Sequence, residues 1–469
     1  MRNLVPSSFL LLFVSCSGAE VGEPVAAAPA KEDAVQRAPA PPPAAVDPVK
    51  QKALDDAAAA IQADIEKLRG ERFLQSVPVK LADKATLVEY LKQREAMETS
   101  PERERFKEES SKLLGLVPAT MDVKAATHAF LQSQVGGFYD PPTKSFYVMD
   151  SFDGELARVI MAHEFVHALD DQLYDLDGIA ERLGQDTDAL LAFWSVCEGS
   201  GTYTMTQWMF ANAASIDREA LIEFQKLGSN GMEDLPPMIW KPMLAAYTCG
   251  QTFVGKGVPK KKGKKDAGEG TAAEAAPAPT YSAQLARAFR EPPRSTEQIL
   301  HPEKYWSEEQ RDEPQRVVFD ARTLPAGWMV LGEDTLGEIA LALLTTPLAE
   351  RKGIDPDNLF ALANLTYTNK AAKGWDGDRL ILLGRGDDRL LQLVTVWDTE
   401  EDAKEFEVAV GGVLPLAEPA ASAAALVPVR KSVGVPPGRP NAVVVDLAWA
   451  RDPRSLPTST GSPVGWSVE

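Results

Sequence analysis

Apolar residues recur at intervals of three and four through much of this chain, the spacing that places them on one face of a helix. The first such stretch, 50–68, aligns Leu54, Ala58, Ile61, Ile65 and Leu68. The same period predicts further helices over 84–98, 101–116, 153–173, 186–212 (one or two helices), 215–227, 238–253, 281–291, 335–346, 358–372 and 400–410. The chain is therefore expected to be mainly helical.

Runs of β-branched and aromatic residues predict a smaller β component. Short strands are expected at 77–81 and 442–445, and a longer β segment at 378–398. Two β-prone runs around the proline-rich turn 141–144 predict a hairpin whose second strand is 145–149. This pattern indicates an α+β fold with a small sheet among helices, followed by a C-terminal α/β lobe.

The first residues match an export signal rather than a structural element. Arg2 precedes a short apolar core at 9–14, and Cys16 follows that core. This resembles a bacterial lipoprotein signal, in which Cys16 becomes the lipidated first residue. The alternative is cleavage after Ala19, which would release a soluble secreted or periplasmic protein. The sequence thus predicts an exported protein, held at the cell envelope by a lipid anchor.

Composition sets the domain organisation and narrows the partners. The chain has 469 residues, 44% of them hydrophobic and 25% charged, which is typical of one to three globular domains. Its net charge of −19 disfavours nucleic acid, because the phosphate backbone repels an acidic surface. No apolar run reaches the roughly 18 residues of a membrane span. The composition does not specify an oligomeric state.

Low-complexity segments divide the chain. An Ala/Pro-rich stretch and a Lys-rich stretch cannot bury a core. The predicted order is a signal peptide 1–16, a tether 17–49, a catalytic domain 50–320 with an insertion at 255–280, a C-terminal lobe 321–450, and a disordered tail 451–469. The lobe is expected either to complete the catalytic domain or to form a separate module.

Two of the four histidines stand four residues apart, at His163 and His167, with Glu164 between them. On a helix this spacing puts both imidazoles on one face, where they can bind one zinc ion. Glu164 leans toward the same edge and can act as general base toward a water on the metal. A chance occurrence of this pattern is on the order of a few in a thousand.

A catalytic zinc ion needs a third protein ligand and an open fourth position. One subclass of zinc peptidases takes a Gly and a His three and six residues after the second His, but here these positions are Asp170 and Leu173. The other subclass uses a Glu from a later helix, and Glu198 is the best candidate. Three other acids are rivals in a more polar segment: Glu181, Asp186 and Asp188.

These features resemble the zincin metallopeptidases with a Glu third ligand, the gluzincin or thermolysin-like group. More narrowly, the chain is similar to a family of uncharacterised bacterial secreted zinc metallopeptidases over residues 75–450. The stretches that carry this narrower resemblance are Gly137–Pro141, His163–Leu169, Asp171-Gln172, Glu198-Gly199, Tyr247 with Gly250 and Phe253, Pro293–Pro302, Gly374–Asp378 and Trp397.

The resemblance implies further roles around the zinc ion. The strand that carries Phe146, Tyr147 and Val148 is expected to be an edge strand, to which peptide substrates add through main-chain hydrogen bonds. A plain structural hairpin is the alternative. His301 is expected to donate a hydrogen bond to the oxyanion. Tyr247 and Tyr203 are its rivals for that role.

One position departs from the gluzincin pattern. Many gluzincins carry an Asp four residues after the ligand Glu, where it orients a ligand His, but this chain has Thr202 there. Asp171 is a candidate replacement, because a metal-bound His usually needs such a partner. A solvated acid at the helix end is the alternative.

The sequence therefore predicts an endopeptidase with one zinc ion and a protein or peptide substrate. Two other functions use the same motif: a non-catalytic zinc-binding envelope lipoprotein that grips another protein, and a hydrolase of non-peptide amides. Cys197 and Cys249 are expected to be buried thiols rather than a disulfide pair.

Overall fold

The computed structural model describes residues 48–83, 86, 90, 100–134, 136–140, 143–149, 154–216, 231–258, 281–354, 362–414, 427–450, 456 and 464–469. The predicted signal peptide, Cys16 and nearly all of the tether lie outside the described residues. So do most of the insertion and nearly all of the helices predicted over 84–98 and 215–227. Residues 48 and 49, which were assigned to the tether, instead begin the first helix.

The fold is α+β, as predicted. In chain order the described helices are α1 Pro48–Arg69, α2 Pro101–Leu113, α3 Val123–Gln134, α4 Gly154–Tyr174, α5 Leu176–Leu183, α6 Thr187–Ala211, α7 Pro237–Gly257, α8 Tyr281–Arg290, α9 Thr296–Leu300, α10 Glu303–Trp306, α11 Gly337–Thr345 and α12 Glu400–Val413. The strands are β1 Val79–Ala82, β2 Gly137–Asp140, β3 Ser145–Met149, β4 Val317–Asp320, β5 Met329–Asp334, β6 Trp375–Arg385, β7 Asp388–Trp397, β8 Val427–Gly434, β9 Ala442–Ala450 and β10 Gly465–Val468.

The small sheet has the order β1-β3-β2, with β3 parallel to β1 and antiparallel to β2. The hairpin prediction is confirmed, but the edge-strand prediction for Phe146, Tyr147 and Val148 is wrong. β3 lies in the centre of the sheet because β1, more than 60 residues earlier in the chain, pairs with its second side. The hydrogen bonds that a substrate strand would need on β3 are therefore already taken by the protein.

The sheet, α1 and α4 share one apolar core. Buried side chains of α4, such as Phe165 and Leu169, pack with Phe146 of the sheet and Ile61 of α1. Helix α6 packs against α4 and α7. Since α4 is buried around most of its circumference, its histidines are enclosed on the side where α6 lies.

The C-terminal lobe is a five-stranded antiparallel sheet in the order β5-β6-β7-β9-β8. Its core includes Phe106 of α2, and a second cluster joins Trp240 of α7 to Ile339 of α11. The lobe is therefore packed directly onto the helical part of the molecule, and the two share apolar cores.

Two C-terminal predictions are corrected. The tail predicted to be disordered contains β10, which pairs with β4. Both strands lie outside the range 321–450 that was predicted for the C-terminal lobe. The helix predicted over 358–372 is, in its described part, only a 3₁₀ turn at Leu362–Asn364. Beyond that turn, Asn369 donates from Nδ2 to the Ala342 carbonyl at 2.9 Å, so its side chain satisfies the end of another helix.

Three further details concern the hydropathy of the helices, the cysteines and the end of α7. None of the helices in the described part of the chain combines the length and apolar character of a membrane span. Cys197 and Cys249 are both thiols, as expected, but only Cys197 is buried and Cys249 is half-buried. Helix α7 runs on to Gly257, so the first residues assigned to the insertion are helical.

Candidate metal centre

Helix α4 positions the two histidines. Its apolar residues Ala162, Phe165 and Val166 face the core shared with the sheet, and His163 and His167 lie one turn apart on the side that contacts α6. Only 1% of His163 and 3% of His167 is exposed. Such buried imidazoles need polar partners, because an unpaired polar group in an apolar interior costs free energy.

Small residues let α6 approach closely enough to supply such a partner. A Cβ atom added at Gly199 would lie 2.3 Å from the Gly250 carbonyl on α7. A Cβ atom at Gly201 would lie 2.7 Å from Cε1 of His163. The two glycines therefore allow close contact of α6 with α7 on one side and with the His163 ring on the other. Glu198 projects from this same turn.

The three predicted ligand atoms converge. Nε2 of His163 and Nε2 of His167 are 2.9 Å apart, and Oε2 of Glu198 lies 3.1 Å from the first and 3.4 Å from the second. In a tetrahedral zinc site with bonds of about 2.0–2.1 Å, ligand atoms stand roughly 3.3 Å apart. Two imidazole nitrogens and one carboxylate oxygen also match the ligand types of catalytic zinc. The donor set therefore fits this ion.

The electrostatics of the three ligands are strongly coupled. Burial raises the pKa of Glu198, but the charges and hydrogen bonds of His167 and His163 outweigh it and lower the pKa to about 2. Burial lowers the pKa of His167, but Glu198, together with the charge of Glu164, raises it to about 9. Without a metal, His167 and Glu198 therefore form a buried ion pair. A metal cation would take the place of that proton.

Glu164 lies beside these ligands but has a different partner. Its Oε2 accepts a hydrogen bond of 2.9 Å from the backbone N–H of Tyr139 on β2. Burial raises the pKa of Glu164 to about 8, the charge of Glu198 adds to this effect, and His167 and the Tyr139 N–H oppose it. The hairpin thus holds one oxygen of this carboxylate and leaves Oε1 without a described hydrogen bond.

The structure brings Tyr247, rather than His301, to this centre. The Tyr247 ring stacks on His163 at a centroid distance of 5.9 Å, and its hydroxyl hydrogen-bonds Glu198. The His301 side chain instead contacts Glu338 at 3.1 Å and Glu303 at 4.0 Å. The oxyanion-donor role predicted for His301 therefore has no support from its contacts. Tyr203 packs against Tyr281.

The orienting role predicted for Asp171 is wrong. Its Oδ2 accepts from the Tyr139 hydroxyl at 2.9 Å and from Lys144 at 2.6 Å, so it fastens the hairpin to α4. The Nδ1 atom of His167 is buried and has no hydrogen-bond partner among the described residues. The same holds for Oγ1 of Thr202, at the position where gluzincins have Asp. The second imidazole nitrogen of His167 is thus not fixed as the family pattern predicts.

A buried charged network that the sequence analysis missed lies behind the ligands. Arg69 and Asp170 form an ion pair of 2.6 Å, and both side chains are fully buried. Ser200 of α6 donates to the second oxygen of Asp170 at 2.6 Å. The position of Asp170, three residues after His167 on the same helix, is the sequence feature that could have revealed it. The network connects α1 to the two helices that carry the ligands.

The rival third ligands lie elsewhere. Glu181 is exposed at the end of α5. Asp186 is the N-cap of α6 and accepts from the Ala189 N–H at 3.0 Å. Asp188 is buried and accepts from Thr296. Among the three rivals and Glu198, only Glu198 meets the histidines.

Comparison with known proteins adds one match. A family model described as a domain of unknown function (DUF8575) matches residues 327–445, which is most of the C-terminal lobe. The matched range does not include the candidate ligands His163, His167 and Glu198. No curated protein matches the chain, and no solved structure does.

Proposed function

We propose that this protein is a zinc-dependent endopeptidase of the gluzincin type. The observation that carries the proposal is the convergence of Nε2 of His163, Nε2 of His167 and Oε2 of Glu198 within 3.4 Å of one another. Three protein ligands leave a fourth position for water, which distinguishes catalytic from structural zinc. Glu164 adds an acid–base group that a purely structural zinc site would not need.

His163, His167 and Glu198 would hold the ion. When bound, zinc acidifies a water molecule and polarises a carbonyl group. Asp170 and Arg69 neutralise each other's charge in an ion pair that does not involve the ligands. The ligands therefore need not neutralise any other buried group.

Glu164 serves as the general base in this proposal. Its Oε1 is available to take a proton from the attacking water, while the Tyr139 N–H holds Oε2 in place. The same oxygen can then pass that proton to the leaving nitrogen. Burial raises the pKa of Glu164 to about 8 without a cation, and a zinc ion on the neighbouring ligands would favour the ionised carboxylate that a base needs.

Tyr247 is the donor that we assign to the developing oxyanion. Burial and the neighbouring charge of Glu198 raise the pKa of its phenol well above the usual value. The hydroxyl therefore stays protonated and can donate a hydrogen bond. To serve the oxyanion, this hydroxyl turns from Glu198, with which it hydrogen-bonds before substrate arrives.

The proposed substrate class and location rest on the sequence alone. We propose that proteins or peptides are cleaved outside the cytoplasm, at the bacterial cell envelope, by an enzyme anchored through lipid on Cys16. The soluble alternative is a protein cleaved after Ala19. The mass of the amino-terminal peptide of the purified protein distinguishes the two, because lipidation at Cys16 adds acyl chains.

The function is tested with a panel of unfolded proteins and peptides, incubated with the full chain with and without a chelator. We expect Glu164→Gln to retain one zinc ion and to lose activity by about 10²–10⁴-fold, the usual contribution of a general base. Glu181→Gln is the matched control, because Glu181 is exposed on the neighbouring helix. It should cleave like the natural protein.

Three results would contradict the proposal. Full activity in Glu164→Gln would mean that another group is the base. A zinc-loaded natural protein that cleaves nothing on the panel would favour the binding lipoprotein, and cleavage of non-peptide amides alone would favour the amide hydrolase.

A further inference from the structure

A cavity of about 550 Å³ lies between the amino-terminal end of α6 and the C-terminal lobe. Its walls come from the end of α5, the start of α6, the segment before β4, and the ends of β5 and β6. Its volume falls within the range of about 300–1,000 Å³ that is typical of small-molecule sites. None of the three metal ligands lines it.

Four arginines and three carboxylates line this cavity, in a chain whose acidic residues outnumber its basic ones by 68 to 49. The arginines are Arg182, Arg294, Arg316 and Arg379, and the acids are Asp186, Glu333 and Asp378. A net positive lining therefore runs against the charge of the whole molecule.

The protein itself satisfies the acids. Oδ1 of Asp378 accepts from the Leu336 N–H at 2.8 Å, and Oδ2 accepts from the Gly337 N–H at 2.8 Å and from Trp375 Nε1 at 2.9 Å. Burial raises the pKa of Asp378 to about 7, against these hydrogen bonds. Its charge is therefore only partly present at neutral pH.

The other two acids are also engaged. Asp186 accepts from the Ala189 N–H and, at 2.6 Å, from the Thr335 hydroxyl. Glu333 pairs with Arg379 at 3.3 Å, and Asp186 lies 3.7 Å from the same guanidinium. Arg379 is thus neutralised by these two acids, and no lining carboxylate remains for the other arginines.

The other three arginines of the cavity have few side-chain partners among the described residues. Arg182 and Arg294 have no side-chain partner among the described residues, and both are exposed at the cavity. Among the described residues, the side chain of Arg316 pairs with that of Glu469 alone, at 3.3 Å, and this pair is largely exposed. Exposed pairs of this kind contribute little free energy. Three guanidinium groups at one concave surface are therefore available to an incoming anion.

We propose that this cavity binds a small polyanion with two or more phosphate or carboxylate groups, held by Arg182, Arg294 and Arg316. A guanidinium group binds such oxyanions through two parallel hydrogen bonds, which suits arginine better than lysine for this role. Arg182 and Arg294 belong to the helical part of the molecule, and Arg316 immediately precedes β4. A ligand that contacts all three bridges these regions and raises the temperature of unfolding.

The test is titration calorimetry on the full-length protein in 0.15 M NaCl, with pyrophosphate as the phosphate probe and tricarballylate as the carboxylate probe. We expect one site with a Kd of about 100 µM or tighter for at least one probe. The probe that binds more tightly identifies the ligand class. Thermal unfolding with the same probe should shift upward.

The Arg182→Gln/Arg294→Gln double variant should weaken binding at least tenfold. Arg72→Gln is the matched control, because Arg72 is an exposed arginine outside the cavity. Glu198→Gln should bind like the natural protein, which separates this site from the metal ligands. The proposal fails if neither probe binds saturably below 1 mM, or if the double variant binds as tightly as Arg72→Gln does.

Discussion

Two clusters among the described residues have side chains close enough to share a metal ion, and they differ in what already lies between them. The first is the metal centre of His163, His167 and Glu198. The second is the acidic cluster of Glu297, Asp312 and Asp398. Lys304 places its ammonium group 2.6, 2.8 and 3.0 Å from the three acids of the second cluster.

The comparison shows that close ligand atoms alone do not define a metal site. The acidic cluster already contains a cation of the protein. Burial lowers the pKa of Lys304, but its carboxylate neighbours outweigh this effect and hold the pKa above its usual range. In the metal centre, a proton on His167 takes the place of such a cation, and a metal ion can replace it. Two of the three candidate ligands there are imidazoles. We therefore propose zinc for the cluster of His163, His167 and Glu198 alone.

Removing a ligand is the largest predicted effect. His167→Ala should weaken zinc binding by on the order of 10²–10³-fold, because each ligand carries a large share of the binding free energy. Glu297→Gln should leave the zinc affinity unchanged. Competition with a chromophoric chelator measures both. Equal losses in the two variants would mean that the acidic cluster also binds the metal.

The buried ion pair behind the metal centre should have the next largest effect. Asp170→Asn removes the fully buried partner of Arg69 and leaves its guanidinium only the less buried Glu71 carboxylate at 3.0 Å, which should lower the free energy of unfolding by about 3 kcal/mol. Denaturant unfolding measures this change. Asp56→Asn is the control, since Asp56 belongs to an exposed pair with Lys52. Similar stabilities of the two variants would show that the network is dispensable.

Lys304→Met tests whether the acidic cluster is held by its ammonium group. Two of its acids are 35% exposed, so water screens part of the repulsion left behind. We expect a loss of about 2 kcal/mol in the free energy of unfolding and no change in zinc content. Lys404→Met, in an exposed pair, should have little effect. Zinc uptake at a second site in Lys304→Met would contradict the expected zinc content. It would show that the acidic cluster also binds the metal once the ammonium group is removed.

The smallest effect concerns the close contact at the metal centre. Gly201→Ala places a methyl group 2.7 Å from Cε1 of His163, so the imidazole or α6 must shift. Zinc affinity should fall about tenfold, within the range seen when the support of a ligand is lost. Gly434→Ala, where an added Cβ meets nothing within 4 Å, is the control. An unchanged affinity in Gly201→Ala would show that the ring has room to move.

Much of the fold could be predicted from local pattern. Helices α1, α4, α7 and α12 have apolar faces that recur at helical spacing, and their observed bounds lie within a few residues of the predicted ones. The strands β4, β5, β8 and β10 were not predicted, because they are short or carry polar residues at edges of the sheets. In the described part of the predicted helix 358–372 there is only a 3₁₀ turn, and Asn369 bonds to the end of another helix instead.

The sequence by itself determined which residues meet at the candidate centre. The spacing of His163, Glu164 and His167 requires only a helix, and a helix is a local structure. Glu198 could be selected because it lies in another helical segment. The α+β class likewise followed from periodicity.

Only the tertiary structure decided which distant groups surround that motif. It placed β1 beside β3, which removed the free edge from the predicted strand. It also placed Tyr247 beside His163, and His301 beside Glu338. These contacts join residues that are far apart in the chain, and they depend on how whole helices and strands pack. No local pattern records that packing, because it is set by the summed burial of many side chains.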